Sequence, residues 1–170
     1  GCRFGEAVAL EWSDIDLENA TISISKNYNR LVDLVGSPKS KAGVRTISID
    51  KKTVNMLRLY KNRQQQLYVE CGVSVSSVVF AIPTKEYQNM ATRQDALDRR
   101  CTEIDIPRFT FHAFRHTHAS LLLNAGISYK ELQYRLGHAT LAMTMDIYSH
   151  LSADKEKEAV SYYEKAINSL

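Results

Sequence analysis

The second half of the chain follows one helical pattern after another, and this constrains the possible folds more than any other feature. The stretch FHAFRHTHASLLLNAG (residues 111–126) carries an apolar run and ends at Gly126, a residue type that is common just beyond helix C-termini. ISYKELQYRLG (residues 127–137) predicts a second helix that stops at Gly137. Two neighbouring helices of this kind predict a helical core in this half.

Two more helices are expected further along. Thr140 is a suitable cap for one over residues 141–150. The last predicted helix covers residues 153–169, where an apolar stripe is formed by Ala159, Val160, Tyr163, Ile167 and Leu170. Such a stripe must be buried. We therefore expect this helix to dock on its own domain or on a neighbouring copy.

The first part of the chain mixes helix and strand patterns. Residues 2–12 predict a helix with one apolar face, formed by Phe4, Val8 and Trp12. Alternating residues within 20–49 predict two or three antiparallel strands joined by a mobile loop, with Lys41 on a turn.

The middle of the chain predicts two longer helices. Asp50 is a good N-cap for a helix over 51–70, and Thr92 for one over 93–104. Between them, residues 76–83 form a short apolar segment that is either a strand or a loop docked on the core. The whole pattern predicts an α+β fold that is mainly helical, with a small antiparallel β-sheet near its N-terminus.

Length and composition favour a single globular domain over 1–170. The 170 residues are 44% hydrophobic and 24% charged, which is ordinary for a folded protein with its own core. Three scattered cysteines, Cys2, Cys71 and Cys101, predict buried thiols in a reducing compartment rather than disulfides. No apolar run has transmembrane length, so a cytoplasmic protein is expected, with no membrane partner.

The charge permits a nucleic-acid partner without demonstrating one. The formal net charge is +3 and the pI is about 8.7. PKSKAGVR places Lys39, Lys41 and Arg45 together with no acid between them, which makes this segment a candidate DNA contact.

Ionisable residues crowd the start of the helix at 111. His112 and Arg115 are three residues apart, so both project from one face near a helix N-terminus, an end that favours anions. The pattern is short, and a capped helix with a solvated Arg and His explains it equally well. His138 after the next helix is, taken alone, equally consistent with a histidine in a turn.

Two further candidates lie near the ends of the chain. Arg3 and Glu6 are three residues apart, which allows either a surface ion pair or a phosphate-binding arginine oriented by an acid. Tyr148 suits a core position with a hydrated hydroxyl, or a covalent nucleophile if bases and cations surround it.

The order of these residues resembles the tyrosine recombinases, also called the phage integrase family. GCRFGEAVALEWSDID is similar to the first conserved box, SKAGVRTISI to the lysine-bearing β-hairpin, and the residues from FHAFRHTHAS to DIYSHL to the second box. The second box is closer to integrases of phages and conjugative elements than to chromosome-dimer resolvases. The resemblance spans nearly the whole chain and implies the catalytic domain of a site-specific recombinase.

The resemblance implies a role for each candidate. Arg3 and Arg115 match the arginines that bind the phosphate, and Tyr148 matches the nucleophile that forms a 3′-phosphotyrosyl bond. Lys41 matches the general acid that protonates the leaving 5′-oxygen, with Lys39 as the competing candidate. His112 matches a base or proton relay, and His138 matches a hydrogen-bond donor to the phosphate. Glu6 matches a supporting acid.

The resemblance also implies a reaction without metal or other cofactor. His112 and His116 have the spacing of a zinc pair, but no acid or cysteine nearby completes such a site. Lys39 and Arg45 are assigned to DNA contact, and His118 to a buried, hydrogen-bonded role.

The expected partner is double-stranded DNA at the attachment sites of a bacterial mobile element, on the nucleoid. The family's upstream core-binding domain and any arm-binding domain are not in this sequence, so a fragment is expected. The fragment should be monomeric and bind DNA weakly, whereas the full-length protein should be a tetramer on DNA. Alternatives are a type IB topoisomerase and a non-catalytic DNA-binding module derived from a recombinase.

Overall fold

The computed structural model describes residues 1–38 and 40–148, with the backbone alone for 146–148. The predicted helix over 153–169 and the end of the helix over 141–150 lie outside these residues. The helices are α1 Phe4–Val8, α2 Lys51–Glu70, α3 Met90–Glu103, α4 Phe111–Asn124, α5 Tyr129–Leu136 and α6 Ala142–Tyr148. The strands are β1 Ile15–Asp16, β2 Thr21–Ile24, β3 Asn27–Asn29, β4 Leu34–Gly36 and β5 Arg45–Ser48.

The strands form two small antiparallel sheets. One has the order β1-β2-β5, with Ile22 opposite Ile15 on one side and Ile47 on the other. The other is the hairpin β3–β4, in which Tyr28 pairs with Val35. The prediction of two or three strands within 20–49 was therefore too low. The polar stretch between the two alternating segments folds as a hairpin of its own. Its side chains lack the alternation of apolar and polar residues that would have predicted strands.

The three-stranded sheet covers the first hydrophobic core. Ile22, Ile24 and Ile47 are buried, and they alternate with more exposed neighbours. This is expected because successive side chains of a strand point to opposite faces, and only one face of this sheet lies on the core. Leu10, Ile15 and Val79 complete the buried cluster, against which Leu57 and Tyr60 of α2 pack.

The segment 76–83 is a loop docked on this core. The amide nitrogen of Gln64 donates to the carbonyls of Val78, Val79 and Ala81 at 3.1, 3.0 and 3.1 Å. Its carbonyl oxygen accepts from the Trp12 indole at 2.8 Å. One buried glutamine thus satisfies backbone groups that have no strand partner, which fits the loop alternative.

Helix α1 is shorter than the predicted helix over 2–12. It ends at Val8, and the Val79 amide then donates to the Leu10 carbonyl at 2.8 Å. Trp12–Asp14 forms a short 3₁₀ turn instead of a further helical turn. The i, i+4 apolar spacing predicted too long a helix, because Trp12 packs on Tyr60 of α2 and its backbone amide donates to the Ser77 carbonyl of the docked loop instead of continuing the helix.

The two middle helices agree with prediction in different degrees. The Asp50 carboxylate accepts from the Thr53 amide at 3.0 Å, which confirms the cap of α2. Helix α3 begins at Met90, not at 93, because Asn89 rather than Thr92 caps it through a 2.8 Å bond from the Ala91 amide.

Helices α4 and α5 enclose the second core. Ala119 and Leu123 of α4 pack against Leu132 and Leu136 of α5, and all four are almost completely buried. Helix α5 ends at Gly137, which has a positive φ of 66°, as the sequence predicted for a C-terminal glycine. This packing places the end of α5 beside the first turns of α4, where His112 and Arg115 lie.

The structure tests the predicted environment of the cysteines. All three cysteines are free, but only Cys101 is buried, while Cys2 is half-buried and Cys71 is exposed. The prediction of buried thiols was thus wrong for Cys71, which follows the last turn of α2 at the surface. Among the described residues, no helix is both long and apolar enough to cross a membrane.

Replacing Leu132 tests the second core. Leu132→Ala removes a side chain that is 0% exposed, and we expect the free energy of unfolding to fall by about 3 kcal/mol. Leu121→Ala, on the same helix pair but 64% exposed, should change it by less than about 0.5 kcal/mol. Urea unfolding measures both, and equal losses would contradict this core.

Candidate active site

The site is organised around the buried carboxylate of Glu6. This residue is 3% exposed. Arg3 donates to it twice, from its backbone amide and from Nη1, both at 2.8 Å. Arg45 donates from Nη2 at 2.9 Å and from Nη1 at 3.2 Å. Burial alone would raise the pKa of Glu6, but the hydrogen bonds and charge of the two arginines lower it below its ordinary value.

The assignment of Arg45 to DNA contact is corrected by the structure. Its side chain is 0% exposed. Besides Glu6, it binds the carbonyls of Arg135 at 2.8 Å and Gly43 at 2.9 Å. A Cβ at Gly137 would lie 2.6 Å from its Nη1, so only glycine leaves room here. Arg45 therefore joins the first residues of the chain to the segment after Lys41 and to the end of α5.

The guanidinium of Arg115 donates hydrogen bonds to two backbone carbonyls, one in the first residues of the chain and one at the end of α5. Nη1 donates to the Gly1 carbonyl and Nη2 to the Leu136 carbonyl, each at 2.6 Å. Burial and the nearby charge of Arg3 lower the pKa of Arg115 to about 10, so it remains charged at neutral pH. These bonds fix the plane of the guanidinium, which is what a bidentate anion site requires.

His112 lies one turn before Arg115 and is the most exposed member of the group. Its ring meets the ring of His116 edge to face, with centroids 4.6 Å apart. Partial burial, His116 and the arginines lower the pKa of His112, which favours the neutral, proton-accepting form. No group of three or more metal-ligand side chains occurs among the described residues, so this histidine pair lacks a third ligand there.

His138 follows α5 and is held on two sides. Its ring Nδ1 lies 2.8 Å from the Thr144 hydroxyl, and its backbone carbonyl accepts from the side-chain Nε2 of Gln133 at 3.1 Å. It is 5% exposed. Burial and the charges of Arg115 and Arg3 lower the pKa of His138 to about 4. The ring is therefore neutral at physiological pH in the free protein.

His118 is half-buried and hydrogen-bonded, in agreement with its predicted role. Its Nε2 accepts from Arg135 Nε at 3.1 Å. Burial lowers the pKa of His118 to about 4. Because the residue faces Arg135 and the core side of α5, it serves packing rather than the candidate site.

Three of the predicted residues line one open cavity of about 690 Å³. Arg3 comes from the start of α1, and His112 and Arg115 from the first turns of α4. The floor and rim are completed by α3 and by the β3–β4 hairpin, through Met90, Gln94, Asn27, Tyr28 and Arg30. His138 is buried close to the arginines, and their charge contributes to its lowered pKa.

Lys41 does not line this cavity. Lys41 starts the 3₁₀ turn Lys41–Gly43, as predicted for a turn, and is exposed. Tyr148 is the last residue of α6, and its side chain lies outside the description. Lys39 also lies outside the described residues.

The charges of the site are not balanced. Among the described residues, Arg3, Arg45 and Arg115 surround one carboxylate, that of Glu6, which leaves an excess of two positive charges there. Each arginine lies within electrostatic range of His138, and together they help to keep it neutral. Such a cluster is complementary to an oxyanion with developing negative charge.

Sequence reasoning missed the groups that fix these side chains. The contact between Thr144 and His138 could not be predicted, because residues of one helix or strand do not touch at this separation along the chain. The role of Arg45 depends on Glu6, which lies 39 residues away, and on two backbone carbonyls. The one available signal was Gly137, whose place directly before His138 indicated a tight turn at the site.

The pH dependence of stability tests the environment of His138. Its pKa is about 4 when folded, against an ordinary 6.5. Its contribution is complete above pH 6.5 and is lost as pH falls toward 4, because only the unfolded chain binds the proton in that range. The free energy of unfolding of His138→Asn should therefore fall less between pH 7 and 4.5 than that of the unmodified protein. Equal falls in urea unfolding would contradict this environment.

Comparison with known sequences identifies relatives over almost the whole chain. The model of the Phage integrase family matches residues 1–155. The ICEBs1 integrase of Bacillus subtilis (strain 168) is 34% identical over 164 residues, covering 93% of this chain and 44% of the relative. The transposase from transposon Tn916 of Enterococcus faecalis is 29% identical over 165 residues, covering 91% of this chain and 40% of the relative. The chain thus spans less than half the length of these relatives.

Solved structures share the fold. The integrase of the Tn1549 transposon, in complex with transposon right end DNA, superposes with a TM-score of 0.76 and 25% identity, covering 94% of this chain and 55% of that chain. The XerA recombinase gives a TM-score of 0.70 and 25% identity, covering 94% of this chain and 53% of that chain. The family match over residues 1–155 and this shared architecture show that the chain belongs to the phage integrase, or tyrosine recombinase, family and has the fold of its catalytic domain.

Proposed function

We propose that this chain is the catalytic domain of a site-specific recombinase that integrates or excises a mobile element. One observation carries the proposal: Arg3, His112 and Arg115 line one open cavity, with a net positive charge ordered by Glu6. The DNA complex of the Tn1549 integrase and the relatives from mobile elements support DNA as the substrate.

Arg3 and Arg115 would bind the non-bridging oxygens of one DNA phosphate. A phosphodiester carries one negative charge, and attack by an oxyanion adds a second. The two uncompensated positive charges of the cluster match that developing dianion. Their orientation is set before binding, by Glu6 and by the Leu136 carbonyl respectively, so little reorganisation opposes the reaction.

Tyr148 would supply the nucleophile from the end of α6. Its phenolic oxygen attacks phosphorus, the bond from phosphorus to the 5′-oxygen breaks, and a 3′-phosphotyrosyl bond forms. His112 would accept the phenolic proton, since its lowered pKa keeps it neutral. The reverse attack by a 5′-hydroxyl reseals the strand without an external energy source.

Lys41 would protonate the leaving 5′-oxygen. Its exposed position leaves it free to reach bound DNA, and the bond from Arg45 to the Gly43 carbonyl anchors the other end of its turn. Lys39 is the competing candidate. His138, held by Thr144, would donate from its second ring nitrogen to a non-bridging oxygen.

The assembly would depend on parts outside the described structure. We propose that the full-length protein adds an upstream core-binding domain, forms a tetramer on attachment-site DNA and acts on the nucleoid in the bacterial cytoplasm. Residues 153–169 would dock on their own domain or on a neighbour. Chain 1–170 alone would be a monomer that binds DNA weakly, with few phosphate contacts.

Trapping the covalent intermediate tests the reaction. The full-length protein is incubated in EDTA with a nicked duplex carrying the ends of its own element, and the products are separated on a denaturing gel. We expect a protein–DNA adduct, and none with Tyr148→Phe, because the nucleophilic oxygen is then absent.

The controls separate the alternatives. DNA binding without any adduct would contradict the enzymatic proposal and leave a binding module. Relaxation of a supercoiled plasmid that lacks an attachment site would instead indicate a topoisomerase.

A modified leaving group tests the general acid. Lys41→Ala should slow cleavage of normal DNA by about 100-fold, because the 5′-oxygen must leave without a proton. A 5′-bridging phosphorothiolate has a leaving sulfur that needs no proton, so it should restore the rate of Lys41→Ala. Arg115→Ala, the matched control, should stay slow on both substrates. Rescue of Lys39→Ala in place of Lys41→Ala would transfer the role to Lys39.

A further inference from the structure

The turn between β3 and β4 brings a further arginine to the rim of the site. Arg30 begins this turn and lines the same cavity as Arg3, His112 and Arg115. None of the motifs that pointed to the site includes it. Its presence there follows only from the folding of the hairpin beside α1.

The turn that carries Arg30 is held by local contacts. The side-chain oxygen of Asn29 accepts from the Leu31 amide at 3.0 Å. The Tyr28 hydroxyl donates to the carboxylate of Asp33, and the Tyr28 ring stacks on Tyr87 at a centroid distance of 5.0 Å. The backbone of Arg30 is therefore placed by contacts on both sides of it.

The hairpin is also packed directly on the helix that carries Arg3. A Cβ on Gly5 would lie 2.6 Å from the Asn27 side-chain oxygen and 2.8 Å from the Tyr28 carbonyl. Strand β3 thus touches α1 where only a hydrogen atom fits. This contact fixes Arg30 relative to Arg3 and Glu6.

Arg30 forms no ion pair with another side chain in the described part of the protein. Arg3 and Arg45 pair with Glu6. Arg30 is exposed, and none of the ion pairs among the described residues includes it. Its guanidinium is therefore available to an anion at the mouth of the cavity.

We propose that Arg30 binds a DNA backbone phosphate next to the one held by Arg3 and Arg115. This inference rests on the proposed function and extends the phosphate site along the strand. Arginine suits the task because its planar group binds phosphate oxygens in pairs, and contacts of this kind set the register of a protein on the duplex. Arg30 would be a positioning residue that does not touch the reacting atoms.

The salt dependence of binding tests this contact. The affinity of the full-length protein for a fluorescein-labelled 40-base-pair duplex of mixed sequence is measured over a range of NaCl concentrations. Arg30→Gln should reduce the slope of log Kd against log salt by about 0.9, the value for one phosphate contact. Arg30→Lys, which keeps the charge, should retain the slope.

Arg63→Gln is the matched control, since Arg63 is exposed on α2 and does not line the cavity. Its slope should equal that of the unmodified protein. An unchanged slope for Arg30→Gln, or equal reductions for both variants, would overturn the proposal. Because the assay measures binding alone, a protein that forms no adduct at Tyr148 would refute the enzymatic proposal without deciding this one.

Discussion

The buried carboxylate of Glu6 is the interaction on which the site depends. A carboxylate that is 3% exposed is costly unless charged and hydrogen-bonded partners compensate it, and here Arg3 and Arg45 do so. Through Arg45 the same cluster reaches the Arg135 and Gly43 carbonyls. The start of the chain, the lysine-bearing segment and the end of α5 are thereby fixed relative to one another.

The described residues of the site carry an excess of positive charge. Among the described residues, the arginines that surround Glu6 exceed it in charge, and burial together with their charge lowers the pKa values of Arg115 and His138. A bound phosphate would remove part of this repulsion. Bringing these like charges together costs free energy during folding, and under the proposed function phosphate binding would recover some of it.

Local signals predicted the helices well and the site in part. Asp50 and Gly137 marked helix ends because a cap and a left-handed glycine act within a few residues. The spacing of His112 and Arg115 correctly placed both on one face, since helical geometry fixes that relation. The spacing of Arg3 and Glu6 likewise allowed the ion pair that the structure shows, and the order of the motifs made Arg3 a candidate for the site.

What sequence reasoning missed depends on contacts between distant segments. Arg45 lies in a basic run typical of a DNA-binding surface, yet Glu6 and two carbonyls bury it. Arg30 reaches the cavity only because Gly5 lets the hairpin approach α1. In both cases the decisive neighbour is more than 20 residues away, beyond the range of periodicity or capping rules.

A double-mutant cycle between Glu6 and Arg45 tests the central claim most directly. The free energy of unfolding is measured by urea titration for Glu6→Gln, Arg45→Met and the double variant. Each single change should cost about 3 kcal/mol, because it leaves a buried charge with too few partners. The double variant should cost at least about 1.5 kcal/mol less than the sum of the two. Additivity within about 0.5 kcal/mol would show that the pair does not organise the site.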